Sequence, residues 1–66
     1  MRVRLNGEER ELPVGTTVAR LLEELKLADK FVAVEHNLEV VPRERHEQTT
    51  LAEGDRIEIV TLVGGG

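Results

Sequence analysis

Three consecutive glycines, Gly64, Gly65 and Gly66, close the chain directly after the apolar run Val60-Thr61-Leu62-Val63. Glycine brings no side chain to bury and loses more conformational freedom on ordering than any other residue, so a strand that runs into three of them gives up stability at its end. Without Cβ atoms the segment fits a narrow channel and presents the α-carboxylate of Gly66 to the active site of another protein. Such a carboxylate, with an ordinary pKa near ~3.5, is ionised at neutral pH and is able to attack the α-phosphate of ATP. The acyl-adenylate so formed is an activated carbonyl, open to a sulfur or nitrogen nucleophile. On this reading the chain is a substrate, not an enzyme. The competing reading is an ordinary frayed terminus. A glycine run with no helix after it is no phosphate-binding loop.

The other residues with chemical potential offer less. The chain contains no cysteine, which excludes a disulfide framework, a thiolate metal site and a cysteine nucleophile. His36 and His46 stand ten residues apart without a paired ligand spacing, and both are expected on the surface, so no metal site is predicted. Glu8, Glu9, Glu11, Glu23 and Glu24 read as solvated faces of strand and helix. With 66 residues there is room for one domain and a small core built from Val, Leu and Ile, since the only aromatic residue is Phe31. A buried pocket for a substrate or dinucleotide does not fit a domain of this size, and no bound cofactor is expected. The net charge of −4 provides no basic stripe for nucleic acid and suits basic protein partners instead. No charged-then-apolar leader and no run approaching the ~20 apolar residues of a membrane span is present, so a cytoplasmic location is expected, away from membranes.

The elements that must position the tail follow from periodicity. "MRVRLNG" alternates, with Val3 and Leu5 on one face and Arg2 and Arg4 on the other. Asn6-Gly7 is a strong hairpin signal, because a type I′ turn needs positive φ at both central residues. "EERELPV" returns as a second strand, with Leu12 and Val14 predicted inward and Pro13 at its edge or end. "GTTVARLLEELKL" then changes period: Val18, Leu21, Leu22 and Leu25 form an amphipathic helical stripe, with Thr16 or Thr17 as the cap. "FVAVEHNLEVVP" reads as two short strands around a turn near Asn37, and "RERHEQTT" as a loop or a single helical turn. "LAEGDRIEIVTL" supplies a tight turn at Glu53-Gly54-Asp55 and a final strand from Arg56 to Leu62.

A helix between two hairpins must cover one face of a mixed sheet, most economically with the first and last strands side by side at its centre. The predicted fold class is α+β: a β-grasp, ubiquitin-like domain over residues 1–63, with a mixed sheet of four to five strands and one main helix on one face. Residues 64–66 form a C-terminal glycine tail. In the last strand Ile57 and Ile59 alternate with Arg56 and Glu58, but Val60, Leu62 and Val63 then break the inside-outside pattern. Exposed apolar groups beside the tail mark a docking surface. Val60, Leu62, Val63, Gly64 and Gly65 are therefore the candidate partner-binding residues, and Gly66 is the reacting one.

Three segments, "LPVGTTVARLLEEL", "AVEHNLEVVPRE" and "LAEGDRIEIVTLVGGG", together resemble the ThiS family, the sulfur carriers of thiazole (thiamin) biosynthesis. The Asn37 turn followed by Val41-Pro42-Arg43 resembles this family more than β-grasp proteins in general, whereas the terminal Gly65-Gly66 is shared among ubiquitin-like carriers. The resemblance implies that an E1-like adenylyltransferase, using ATP and magnesium of its own, adenylates Gly66. A persulfide-bearing sulfurtransferase or cysteine desulfurase would then serve as sulfur source and convert the adenylate to a thiocarboxylate. Thiazole synthase would take that sulfur. Leu38 departs from the family, in which a small or polar turn residue is usual.

Three other readings use the same features. The small subunit of molybdopterin synthase has the same fold, tail and chemistry, but its relatives are generally longer and "VVPRE" favours the thiamin branch. A ubiquitin-like modifier would join Gly66 to a lysine amine through the same adenylate. A TGS-like binding module would suit "LPVGTTVARLLEEL" but has no use for terminal glycines.

Overall fold

The computed structural model describes residues 1–62; Val63, Gly64, Gly65 and Gly66 lie outside the described residues. Along the chain come β1 (Arg2–Leu5), β2 (Glu8–Glu11), α1 (Val18–Glu24), β3 (Val32–His36), β4 (Glu39–Val40) and β5 (Arg56–Thr61), with a 3₁₀ turn at Arg43–Arg45 before the last strand. The strands form one sheet in the order β2-β1-β5-β3-β4. β5 lies at its centre, parallel to β1 on one side and antiparallel to β3 on the other. The first and last strands are therefore neighbours, as the β-grasp reading expects.

The alternation of β1 and β5 buries Val3, Leu5, Ile57 and Ile59 on one face of the sheet, in one cluster with Val34 of β3 and with Val18, Leu21 and Leu22 of α1. Leu21 and Ile57 are wholly inaccessible. Thr17 caps the helix, its hydroxyl accepting from the Arg20 N–H at 3.1 Å. The two amides before Arg20 are satisfied from outside: Val18 donates to the Thr49 carbonyl and Ala19 to that of His46. The far end closes at Leu25, the last residue of the apolar stripe. Lys26 takes φ 61°, its amide donates to the Glu23 carbonyl and that of Leu27 to Leu22, which is a Schellman cap with lysine in the left-handed position. Leu25 is the helix cap and only partly buried.

Both hairpins turn on two residues with positive φ. Asn6 and Gly7 stand at 50° and 84°, and Leu5 pairs with Glu8, as a type I′ turn requires. Val14 is a correction: it is 87% exposed, not inward. β2 ends at Glu11, before Pro13, and the Thr16 amide returns to the Pro13 carbonyl around Gly15 at φ 94°, which places Val14 at the tip of a turn. The second hairpin turns on Asn37 at φ 53° and Leu38 at φ 74°, so the unusual residue at position 38 sits where a side chain is strained. A left-handed L-residue costs roughly 1–2 kcal/mol, and the extra freedom glycine gains in the unfolded chain offsets part of that. Leu38→Gly is therefore expected to raise stability by about 0.5–1 kcal/mol, read as a higher urea midpoint at unchanged m-value.

Candidate functional site

The helix side of the sheet is filled by the core, which leaves the outer side facing solvent. On it the antiparallel register of β3 and β5 stacks residues in rows. Ala33 lies opposite Val60, and Glu35 opposite Glu58, with Val40 of β4 on the other side of Glu35. One row further toward the chain's end, the Leu62 amide donates to the Phe31 carbonyl at 2.8 Å. Val60 and Leu62 are 57% and 53% exposed, and Phe31 is 72% exposed. An apolar patch of Phe31, Ala33, Val60 and Leu62 thus stands at the root of the tail. Apolar side chains left together in solvent at such a place mark a contact surface.

The structure brings together two of the residues assigned to docking from the sequence, Val60 and Leu62. Val63, Gly64 and Gly65, also assigned to docking, and Gly66, assigned as the reacting residue, lie outside the described residues. Phe31 and Ala33 were missed. The signal was present in "FVAVEH", because strict alternation puts Phe31 and Ala33 on the face opposite Val32 and Val34. What the alternation does not say is that this face lies beside that of Val60.

Neither histidine is the free surface residue expected. His46 is buried, and its Nε2 hydrogen-bonds the Val41 carbonyl at 3.1 Å, so it is a core residue tying the 3₁₀ turn to the end of β4. His36 is half-buried, and its Nε2 donates to Asp55 Oδ2 at 2.6 Å. Asp55 also accepts from the Asn37 side chain at 3.1 Å and from the Ala52 amide at 2.8 Å, while Asn37 Oδ1 accepts from the Arg56 amide. This network fixes the start of β5 against the β3–β4 turn, at the end of β5 away from the tail. Among the described residues no group of three or more His, Asp or Glu is arranged to hold a metal, and no helix is long and apolar enough to cross a membrane.

Burial by itself would raise the Asp55 pKa, but hydrogen bonds from His36, Asn37 and Ala52, with the charge of His36, outweigh it and hold the carboxyl below its ordinary value. A depressed folded-state pKa contributes stability that is complete above the unfolded value of about 3.9 and is lost as pH falls through the folded one. The contribution of Asp55 is therefore expected to be constant from neutrality down to about pH 5 and to fade below about pH 4. In urea titrations across this range, Asp55→Asn should lower stability at pH 7 by about 1–2 kcal/mol and flatten the acid limb.

Asn6 has a second task besides its turn. Its Nδ2 donates to the Ile59 carbonyl at 3.2 Å and its Oδ1 accepts the Ile59 amide at 2.7 Å, so the side chain pairs with β5 as a strand would. The strand that leads to the tail is held on one edge by the Asn6 side chain, beyond the short β1 pairing, and on the other by the whole of β3.

Comparison with known proteins follows the same lines. The family model described as the ThiS family matches residues 3–66. A thiazole synthase of Paramagnetospirillum magneticum is 46% identical over 66 residues, all of this chain but 20% of that protein, so the chain spans about a fifth of its length. The sulfur carrier protein ThiS of Bacillus subtilis is 40% identical over 65 residues, covering 97% of this chain and 98% of the relative. A crystal structure of the thiamine biosynthesis protein ThiS from Geobacter metallireducens superposes with a TM-score of 0.85 at 36% identity, covering both chains completely.

Proposed function

The chain belongs to the ThiS family, and we propose that it works as a sulfur carrier in thiamin biosynthesis whose Gly66 carboxylate is adenylated and then converted to a thiocarboxylate. It is a small carrier rather than an enzyme. The observation that supports the reading most directly is its match to the B. subtilis carrier, which runs over 98% of that protein's length. The family match runs over residues 3–66 and so takes in Gly64, Gly65 and Gly66.

The chemistry divides between this chain and its partners. The Gly66 carboxylate oxygen attacks the α-phosphorus of ATP in an activating adenylyltransferase, and pyrophosphate leaves; the magnesium belongs to that enzyme. A persulfide sulfur, supplied by a sulfurtransferase or cysteine desulfurase, then attacks the Gly66 carbonyl carbon and expels AMP. Reductive cleavage of the resulting acyl persulfide by a second thiol leaves the thiocarboxylate on Gly66 and a disulfide on the donor. Thiazole synthase is the acceptor; two relatives of that name each carry a region matching this whole chain. The chain's own part is to present the tail from a rigid strand and to offer the patch of Phe31, Ala33, Val60 and Leu62 for docking. No cysteine of its own competes for the sulfur.

Intact-mass spectrometry of the untagged chain, before and after incubation with ATP, sulfide and an extract of its own cells, tests the proposal. A gain matching one oxygen replaced by sulfur is expected. Stable attachment to other proteins would make the chain a modifier instead, and no change with a demonstrably active extract would sink the carrier reading.

A further inference from the structure

The outer face of the sheet is banded by charge as well as by polarity. Next to the apolar rows, Glu35 lies directly opposite Glu58, and among the described residues neither carboxylate has a cation within ion-pair distance. On the other side of this row Arg56 stands beside Arg4 of the parallel strand. Like charges directly across a strand pair oppose folding. Exchanging Glu58 with Arg56 would put unlike charges on adjacent strands, so the sequence forgoes an easy neutralisation. Glu58 is moreover only partly exposed, so its charge is less screened by solvent than that of a free surface carboxylate.

We infer that this face docks a protein surface that sets an arginine or lysine beside an apolar contact, the cation received between Glu35 and Glu58 and the apolar group on Ala33, Val60 and Leu62. The inference rests on the carrier reading and deepens it by stating what the partner that takes the tail must present. A second copy of the chain fits less well. A two-fold arrangement that set the glutamate row of one copy on the arginine row of the other would leave the Phe31–Leu62 row without an apolar counterpart, and each copy carries a net charge of −4. A cation from a basic partner would remove the repulsion between the two glutamates on binding, and opposite potentials would speed encounter.

The test uses the full chain and the adenylyltransferase that activates it, with carrier-dependent ATP–pyrophosphate exchange followed at several salt concentrations. The variant is the double substitution Glu35→Gln and Glu58→Gln. Its KM for the carrier is expected to rise about tenfold with kcat within about twofold, since the reacting residue is untouched. The wild-type KM should climb with ionic strength and that of the variant much less. The melting temperature of the variant should rise by about 1–5 °C, because a cross-strand repulsion is gone. Affinity and stability thus move in opposite directions, which a merely structural role would not produce. An unchanged KM with an unchanged salt slope would overturn the inference, and so would a melting temperature that falls as KM rises. A dimer in sedimentation equilibrium that the variant dissociates would replace it with self-association. Absence of any pyrophosphate exchange with the wild-type chain and an enzyme active on another carrier would bring down the carrier reading itself, whereas normal exchange with an indifferent variant brings down only this inference.

Discussion

Deleting Gly66 alone is expected to abolish adenylate formation while leaving the domain as stable as before. Removing one residue withdraws the terminal carboxylate by about 3.5 Å along an extended chain. A misplacement of even about 1 Å at a reacting group costs on the order of 10²-fold in rate, so the loss from a shift of this size should exceed that. Nothing in the truncated protein restores the reach if, as proposed, the patch at the root of the tail sets where the strand docks. The residues of the buried core all fall between Val3 and Ile59, so the truncation takes no core contact away. Circular dichroism melts of the two proteins should therefore coincide, while carrier-dependent ATP–pyrophosphate exchange and the sulfur-dependent mass gain vanish together. Retained activity in the shortened chain would show that the position of the last carboxylate does not matter, and with it the proposed chemistry would fall.

The second large effect is on folding. Ile57 is wholly buried on the central strand, in one cluster with Leu21 and Val18 of the helix and Val34 of the neighbouring strand. Ile57→Ala removes that side chain's transfer energy and leaves a cavity that the surroundings close only in part, a loss of about 2–5 kcal/mol. A domain this short draws on the order of 3–5 kcal/mol in all from its core, so the substitution is expected to leave much of the population unfolded at 25 °C. Val60→Ala, three positions along the same strand and on the solvated side, should change stability by no more than about 0.5 kcal/mol. Urea unfolding of the pair separates the two faces of β5. If both cost the same, the assignment of Ile57 to the core and Val60 to the outer face would be wrong.

The pH response of Asp55 and the strain at Leu38 are smaller effects, but they come from a feature shared with the site: a local residue choice that only makes sense once the neighbouring strand is known. Asp55 reads from the sequence as the last residue of a tight turn. In the fold it is the acceptor that gathers His36, Asn37 and Ala52, and it ties the start of β5 to the β3–β4 turn, 19 residues away at His36. Leu38 reads as a departure from an expected turn residue, and the backbone shows that the turn is made anyway, at a cost.

The sequence by itself determined the local elements and the order in which they come. Its apolar spacing marks α1, Asn6-Gly7 and Asn37 mark the hairpins, the alternation around Ile57 and Ile59 marks the inner face of β5, and the terminal glycines with the three family-like segments point to the carrier chemistry. These are properties of period and of single-residue backbone preference, and both act over a few residues. Where local chemistry competed, the sequence misled: Pro13 and Gly15 turned Val14 outward. Only the tertiary structure decided which strand lies beside which, and at what register. Alternation tells that Phe31, Glu35, Glu58 and Val60 all face away from the core, but not that Glu58 meets Glu35, that Val60 meets Ala33, or that the Leu62 amide bonds the Phe31 carbonyl. A side chain's facing is written in its own strand, whereas its lateral neighbours depend on a pairing more than twenty residues away, and the proposed docking face consists of such neighbours.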